Sequence, residues 1–360
     1  MSQPERYDFL IVGQGLAGTV LGHELQRRGY SVFFIDKGHA EAASYAAAGM
    51  WNPIVFRRLN KSWRADDLIP VADDFYKDLE KKLSATLRFP KNIARVFPDN
   101  EAANDFHARS AEPGFEHFLK TTSIPEVDAD FTFQHGYGVV EKAGYLDLRV
   151  LLKKYREWLK SENLIDESEF EFEALKLMPS GAQYGSLEAG KIVFCEGHLG
   201  TDNPYFGYLP LHKNKGELLT VKIAGLSHRS IVNNGQFLLP VGDDLYRVGA
   251  TYEWKSADLT TSDEAREKLL SRLREVVKAP IEVIEHRAGI RPTTQDRRPL
   301  IGAHPNNERL MLFNGLGTKG VMNAPYFAIN FCDWVQGKSE LDSEVDIGRF
   351  RKHFDKQEKA

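Results

Sequence analysis

The sequence predicts an α/β protein in which two domains alternate along the chain, one built on a parallel sheet and one on an antiparallel sheet. A strand, a glycine-rich turn, a helix and a second strand follow one another within 7–36, and this order builds parallel sheets. Buried strands of the same kind return at 191–197 and 309–315. Between them, short alternating strands broken by glycines and Pro240 occupy 215–251, as in antiparallel sheets.

Length and composition agree with two globular domains. The 360 residues exceed what one hydrophobic core usually organises. The net charge is −4, without the basic excess that nucleic acids or anionic membranes attract. No apolar run is long enough for a membrane span, and 1–13 lacks the features of a signal peptide. We therefore expect a cytoplasmic protein with no nucleic-acid partner and no membrane span.

The period of the apolar residues predicts the remaining elements. The segment 87–136 is rich in aromatic residues and proline and has no clear pattern. The expected helices are 19–28, 66–83, 146–160, 263–278 and 323–335, and further strands are expected at 137–144 and 170–177.

The order of these elements divides the chain into two interleaved domains. The parallel-sheet domain is expected at 1–75, 138–203 and 287–350, and the antiparallel α+β domain at 76–137 and 204–286.

The turn "GQGLAG" has the G-x-G-x-x-G spacing, with Gly13, Gly15 and Gly18. The turn follows a strand and opens a helix, and Asp36 ends the next strand at the distance where an acid meets a ribose hydroxyl. A chance glycine turn would not need this context. The turn therefore predicts a Rossmann-type dinucleotide site, with the pyrophosphate at the helix N-terminus.

Two further segments favour a flavin over a nicotinamide dinucleotide. A loop of small residues, "SYAAAGMWNP", follows the first βαβ unit at 44–53. A second glycine turn, "NGLGTKG", precedes a helix at 314–320. A ligand as long as FAD is held at both ends in this way.

In order, these segments resemble the flavin-dependent D-amino acid oxidase superfamily, especially its glycine oxidase and sarcosine oxidase branch. The resemblance covers nearly the whole chain and is weakest over 87–136. It is carried by "IVGQGLAGTVLGHELQRRGYSVFFIDKG", "ASYAAAGM", "IVFCEG", "FLLPVGDDLYRVGAT", "AGIRPTTQDRRPLIG" and "NGLGTKG".

The resemblance implies that FAD is held by both ends of the parallel-sheet domain. Backbone of 47–49 would lie near the flavin, and amides of 317–320 would face its N1–C2=O edge, where negative charge gathers on reduction. Cys195 and Cys332 do not stand where a covalent flavin bond is expected, so the cofactor is expected to be non-covalent. The cofactor-binding residues are expected to be Gly13, Gly15, Leu16, Ala17, Gly18, Asp36, Lys37, Ala47, Ala48, Gly49, Met50, Phe172, Glu173, Gly197, Arg291, Gly317, Thr318, Lys319 and Gly320.

The segment "AGIRPTTQDRRPLIG" is both charged and apolar. In the family that the chain resembles, the arginine of "AGxRP" grips the substrate carboxylate, and the matching residue is Arg291. A guanidinium suits this role because its fixed fork of donors matches a carboxylate. The alternative is a structural ion pair with an acid at the domain interface. Arg297 and Arg298 are expected to be solvated or structural, and "PLIG" to be a strand that returns to the sheet.

The chain departs from the family at Phe237, where glycine-oxidase-like enzymes place a tyrosine hydroxyl beside the carboxylate. Tyr246 or Tyr252 could replace that hydroxyl from a neighbouring strand, so the substrate stays open. Lys319 either stabilises the reduced flavin or assists its reaction with oxygen, or else it points to solvent. His286 is expected to be structural.

The resemblance implies FAD-dependent oxidation of a C–N bond in a small amino acid or amine bearing a carboxylate, by hydride transfer from Cα to flavin N5. Oxygen or another acceptor would reoxidise the flavin. The alternatives are a 2-hydroxy-acid dehydrogenase, modification of an amino-acid group on tRNA, and a non-catalytic flavin-binding protein. The spacing of the histidines predicts no metal site.

Overall fold

The computed structural model describes residues 5–38, 42–179, 181–255 and 258–357. Its helices are α1 (Leu16–Arg27), α2 (Ala43–Ala46), α3 (Ala65–Leu83), α4 (Asn100–Ser110), α5 (Pro125–Asp130), α6 (Leu148–Ser161), α7 (Asp263–Val276), α8 (Gly320–Val335) and α9 (Arg351–Gln357). Its strands are β1 (Glu5–Val12), β2 (Val32–Ile35), β3 (Met50–Trp51), β4 (Ile54–Val55), β5 (Asn60–Lys61), β6 (Arg88–Pro90), β7 (Ile93–Val96), β8 (Leu119–Lys120), β9 (Tyr137–Val140), β10 (Gly144–Leu146), β11 (Ile165–Asp166), β12 (Leu175–Met178), β13 (Gly181–Tyr184), β14 (Leu187–Phe194), β15 (Leu211–Lys222), β16 (Ile231–Asn233), β17 (Phe237–Gly242), β18 (Leu245–Gly249), β19 (Glu282–Thr294), β20 (Leu300–His304) and β21 (Asn307–Asn314).

The first large sheet contains the predicted parallel strands. Its order is β11-β2-β1-β14-β13-β12, and β21 joins it by pairing with β14. Strand β1 pairs in parallel with β2 and β14, and β21 pairs in parallel with β14. The hairpin β12–β13 and strand β20 add antiparallel partners. Thus "PLIG" does lead back to this sheet, as β20.

The second large sheet has the order β19-β15-β18-β17-β16-β7-β9-β8. Its pairings are antiparallel except for the parallel pair β7–β16. The predicted α/β fold, with a parallel sheet interleaved with an antiparallel one, is confirmed.

Apolar packing on the first sheet explains why its helices form where they do. Helices α1, α3, α6 and α8 bury their apolar faces in one cluster against β1, β2 and β14. Helix α8 is the most apolar of the expected helices, and it begins at Gly320, three residues before the predicted start. A separate cluster that includes Phe194 and Phe206 covers the opposite face of the sheet.

Two expected strands form differently. In the segment 170–177, Phe172–Ala174 makes a 3₁₀ turn, and the strand begins only at Leu175. The expected strand 137–144 is divided into β9 and β10 around Lys142, whose φ of 54° lies in the left-handed region. The unclear segment 87–136 contains the short strands β6–β8 and the helices α4 and α5.

We propose that the division into 1–75, 138–203 and 287–350 against 76–137 and 204–286 follows the two sheets. Strands β9 and β19 of the antiparallel sheet cross its borders at 138 and 287. Parts of these ranges, at 1–4, 39–41 and 256–257 among others, lie outside the described residues. Within the described residues, no helix is long and apolar enough to cross a membrane.

Candidate functional site

A cavity of about 610 Å³ extends from the carboxyl ends of the parallel strands to the face of the antiparallel sheet. It brings together most of the residues that the sequence predicts for the site. The predicted residues that line it are Gly13, Gly15, Leu16, Ala17, Asp36, Lys37, Ala47, Ala48, Gly49, Met50, Phe172, Gly197, Arg291, Gly317, Thr318 and Gly320. Gly18, Glu173 and Lys319 do not line it.

The first glycine turn leaves open space beside its backbone. A Cβ atom built on Gly15 would come no closer than 3.7 Å to its nearest neighbour, Ser44 Oγ, and one built on Gly197 would meet nothing within 4 Å. Gly15 is the N-cap of α1. The helix N-terminus therefore presents amides and a favourable dipole to an anion in the cavity.

Gly18 does not line the cavity and packs closely against the backbone of the first glycine turn. A Cβ atom there would lie 1.9 Å from the carbonyl oxygen of Gly13, which is backbone and cannot move aside. Gly18→Ala is therefore expected to destabilise the fold by about 1–3 kcal/mol or more and to lower the flavin content of the purified protein. Thermal unfolding and the ratio of flavin to protein absorbance measure both effects.

Gly348→Ala is the matched control for this prediction. Gly348 is exposed and lies outside the cavity, and its Cβ would meet only the Asp346 side chain, at 3.2 Å. Equal stability and equal flavin content in the two variants would contradict the role of Gly18.

Asp36 is held by groups that the sequence analysis did not identify. Its Oδ2 accepts from the amide of Gln14 at 2.6 Å, and its Oδ1 accepts from Arg156 Nη1 at 2.6 Å and from the amide of Gly38 at 2.8 Å. Arg156 also donates to the carbonyl oxygen of Asp36. These bonds neutralise the carboxylate and fix its position at the cavity wall. Arg156 lies on α6, 120 residues from Asp36. No local sequence pattern therefore predicts this contact.

The end of the cavity near Asp36 is aromatic. Phe172 lines it and stacks on Phe194, with ring centroids 5.8 Å apart. Lys37 also lines it and pairs with Glu169 at 2.7 Å. Glu173 is exposed and outside the cavity. Of these two expected cofactor-binding residues, Phe172 lines the cavity and Glu173 does not.

The second glycine turn meets the other end of the cavity at the start of α8. The amide of Gly317 donates to the carbonyl oxygen of Pro292 at 3.0 Å, so that amide is already used. The amide of Thr318 has no hydrogen-bond partner among the described residues, and Thr318 and Gly320 line the cavity. The amide of Thr318 is thus available to donate a hydrogen bond at the N-terminus of α8.

Lys319 turns away from the cavity lining. Its Nζ donates to the carbonyl oxygen of Asn52 at 3.0 Å, which ties the second glycine turn to the loop after β3. Burial of the ammonium lowers the pKa of Lys319 to about 8. The lysine therefore points neither to open solvent nor directly into the cavity.

Arg291 lies on β19 opposite Asn214 of β15. It donates to Asn214 Oδ1 at 2.8 Å, and both of its terminal nitrogens lie 3.3 Å from the carbonyl oxygen of Thr251. The ring of Tyr252 covers it, with the centroid 4.6 Å from Cζ. Burial lowers the pKa of Arg291. No carboxylate forms an ion pair with Arg291 among the described residues, so the structural pair considered as an alternative is absent there.

Gly216 makes room for this guanidinium. A Cβ atom on Gly216 would lie 2.1 Å from Nη2 of Arg291 and 2.3 Å from Nη1. The arginine side chain therefore lies across the sheet surface where β15 carries no side chain. Gly289 of β19 pairs with Gly216, so neither residue adds a side chain to the sheet face beside the guanidinium.

Phe237 lines the cavity with Leu218 and Met50, which gives this end an apolar wall. Tyr252 also lines the cavity, whereas Tyr246 is 3% exposed and stacks on His228 in a separate core. Tyr252 is thus the tyrosine placed beside Arg291. His286 does not line the cavity, and its Nε2 lies 2.9 Å from Glu217 Oε2.

Cys195 is buried at the cavity wall. Burial raises the pKa of its thiol well above the usual value, which disfavours the nucleophilic thiolate. Cys332 lies in the core behind α8. In the part of the chain that the structure describes, no cluster of potential metal ligands occurs.

The parallel sheet, the two glycine turns at helix N-termini and the long cavity between them define a dinucleotide-binding α/β protein. The open backbone at Gly15 and Gly197 and the free amide of Thr318 fit FAD. The chain belongs to the DAO family, FAD dependent oxidoreductase, whose sequence pattern matches residues 8–334. It is an FAD-dependent enzyme, which sets aside the non-catalytic alternative.

Individual relatives are distant but cover almost the full length. Glycine oxidase of Pseudomonas aeruginosa is 23% identical over 361 residues, covering 92% of this chain and 95% of the relative. The MnmC protein of Idiomarina loihiensis, a bifunctional protein of tRNA 5-methylaminomethyl-2-thiouridine biosynthesis, is 25% identical over 90% of this chain, which spans 55% of that protein. The crystal structure of glycine oxidase from Geobacillus kaustophilus matches with a TM-score of 0.78 at 22% identity, covering 96% and 98% of the two chains.

Proposed function

We propose that this enzyme oxidises the C–N bond of a small amino acid or amine that bears a carboxylate, by hydride transfer from Cα to flavin N5. The observation that carries the proposal is Arg291, a partly buried guanidinium at the cavity wall that has no carboxylate partner among the described residues. A buried cation without an anion is costly. An anionic substrate group would supply the missing charge.

Similarity to glycine oxidases over more than nine-tenths of the chain supports amine or amino-acid oxidation in general. The glycine substrate of those relatives does not transfer with the similarity. Phe237 offers no hydroxyl, and the wall that it forms with Leu218 and Met50 suits an apolar substituent. We therefore propose a carboxylate-bearing amine that is larger than glycine.

The contacts of Arg291 explain how it would orient a substrate. Asn214 and Thr251 accept from the guanidinium on one side, and Tyr252 covers one of its faces. A carboxylate bound to the remaining donors would be fixed in direction as well as in position. FAD, when bound, supplies a two-electron acceptor for the Cα hydride. Holding Cα next to that acceptor lowers the activation barrier, because binding has already brought the two reacting groups together.

The substrate end of the cavity lacks a general base among the described residues. Among the residues of 216–252 and 289–292 that line this end, Arg291 is the only charged one. We infer that the substrate amine binds neutral and that water is kept from the reacting bond by Leu218, Phe237 and Met50. The amide of Thr318 and the dipole of α8 would stabilise negative charge near their end of the cavity.

An anaerobic screen tests this function. The visible spectrum is recorded on the purified protein, and again on the supernatant after acid precipitation, where released flavin indicates non-covalent binding. Amines, amino acids and 2-hydroxy acids are then added without oxygen. Bleaching by carboxylate-bearing amines is the expected result, and bleaching by 2-hydroxy acids alone would replace it with the dehydrogenase. Admitting air then shows whether oxygen reoxidises the flavin.

The similarity to MnmC proteins, which act in tRNA 5-methylaminomethyl-2-thiouridine biosynthesis, supports a second candidate, the modification of an amino-acid group on tRNA. The net charge of −4 argues against it because tRNA binding usually needs a basic surface. Affinity for tRNA that falls steeply with added salt would favour this candidate. No binding at low salt would exclude it.

A further inference from the structure

Glu196 is a partly buried acid in the cavity that the proposed reaction does not use. It lies two residues beyond the end of β14 and lines the cavity next to Gly197. Its Oε2 accepts from Nδ2 of Asn203 at 2.7 Å. Asn203 is itself held, because its Oδ1 accepts from the amides of Tyr205 and Phe206. Oε1 of Glu196 has no hydrogen-bond partner among the described residues.

The other carboxylates that line the cavity are neutralised. Asp36 pairs with Arg156 at 2.6 Å, Glu169 with Lys37 at 2.7 Å and Asp202 with Lys213 at 3.0 Å. Glu196 has no cationic partner in the described part of the chain, and the charged group that faces it is the acid Asp202. An ionised Glu196 would therefore be a partly buried charge without a compensating cation among the described residues.

FAD makes this charge more costly. Its diphosphate carries two negative charges and would lie in the cavity that Glu196 lines. A carboxylate beside such an anion is repelled, whereas a neutral carboxylic acid can donate a hydrogen bond to it.

We propose that Glu196 binds FAD as a neutral acid, so that the cofactor is taken up together with a proton and is held less tightly as the pH rises. The inference rests on the FAD site described above. Asn203 occupies one oxygen of the acid, and the protonated Oε1 donates to the cofactor.

Burial, with Asp202 adding to it, raises the pKa of Glu196 to about 7 in the protein without ligand. The other groups that face this region are Cys195, whose pKa Glu196 helps to raise, and His198, which lines the cavity two residues further on. Since FAD favours the neutral form, binding raises the pKa further. Between the two pKa values the dissociation constant rises by about tenfold per pH unit. Below both values it is constant.

The test measures flavin release from the holoenzyme on dilution, by the rise in flavin fluorescence, between about pH 6 and about pH 9. Glu196→Gln keeps the shape and the Asn203 contact of the neutral acid. It is expected to hold FAD with the wild-type affinity measured at low pH, and without the pH dependence. Glu171→Gln, an exposed acid outside the cavity, is expected to behave like the wild type.

Calorimetry of FAD binding to the wild type, in buffers of different ionisation enthalpy, gives the number of protons taken up and does not depend on any variant. Uptake approaching one proton above neutral pH supports the proposal. No uptake, or the same pH dependence in Glu196→Gln as in the wild type, would overturn it. A protein that binds no flavin at any pH would instead refute the FAD site itself.

Discussion

Replacing Arg291 with alanine lowers kcat/KM for a carboxylate-bearing amine by about 10²- to 10³-fold, or ~3–4 kcal/mol, because a buried charge pair with the substrate is lost. FAD stays bound, since the first glycine turn and Asp36 lie at the other end of the cavity. Anaerobic stopped-flow measurement of flavin bleaching separates the rate of reduction from the apparent affinity for substrate.

Two comparisons show whether this loss comes from the carboxylate contact. Arg291→Lys keeps the charge and loses the fork of donors, so partial activity is expected. Arg297→Ala removes an exposed arginine of the same segment and should leave the rate unchanged. Loss of FAD or of the fold in Arg291→Ala would make the arginine structural and would contradict its role as an anchor.

Gly216→Ala is expected to reduce activity by about 10²-fold while the protein stays folded. The added Cβ would overlap the guanidinium of Arg291, which is the flexible end of a side chain and can move. The arginine would then leave Asn214 and Thr251, and a misplaced positioning group costs about this factor. The same stopped-flow assay measures the loss, and thermal unfolding measures stability.

A double-mutant cycle tests whether Gly216→Ala lowers activity by displacing Arg291. In the Arg291→Ala background, Gly216→Ala should cause no further loss because its target is gone. A second loss of about the same size would mean that Gly216 acts on the substrate or the cofactor independently of Arg291.

Local patterns were sufficient to predict the first βαβ unit. The G-x-G-x-x-G turn, α1 and β2 came out within three residues of their predicted positions, because the contacts that form them lie close in sequence. The same holds for α7. The resemblance to the D-amino acid oxidase superfamily, and no local pattern, identified the segment of Arg291, which lines the cavity.

Contacts between distant segments were not predictable in this way. Strand β7, within the unclear segment, pairs in parallel with β16 more than 130 residues later, and a four-residue strand has no pattern of its own. Arg156 reaches Asp36 from α6 for the same reason. Glu196 was visible as an acid within the expected buried strand 191–197, which is an unusual place for a charge. That Glu196 has no cationic partner among the described residues could be recognised only from the three-dimensional structure.

Binding of a substrate carboxylate by Arg291 is tested by comparing N-methylglycine with N-methylglycine amide, or the matching pair for whichever amine the screen identifies. The two compounds share the oxidised C–N bond and differ in the carboxylate alone. Anaerobic flavin bleaching should be at least about 10²-fold faster with the acid in the wild type, and the difference should vanish in Arg291→Ala. Equal rates for the acid and the amide in the wild type would contradict the account, because Arg291 would then not bind a carboxylate.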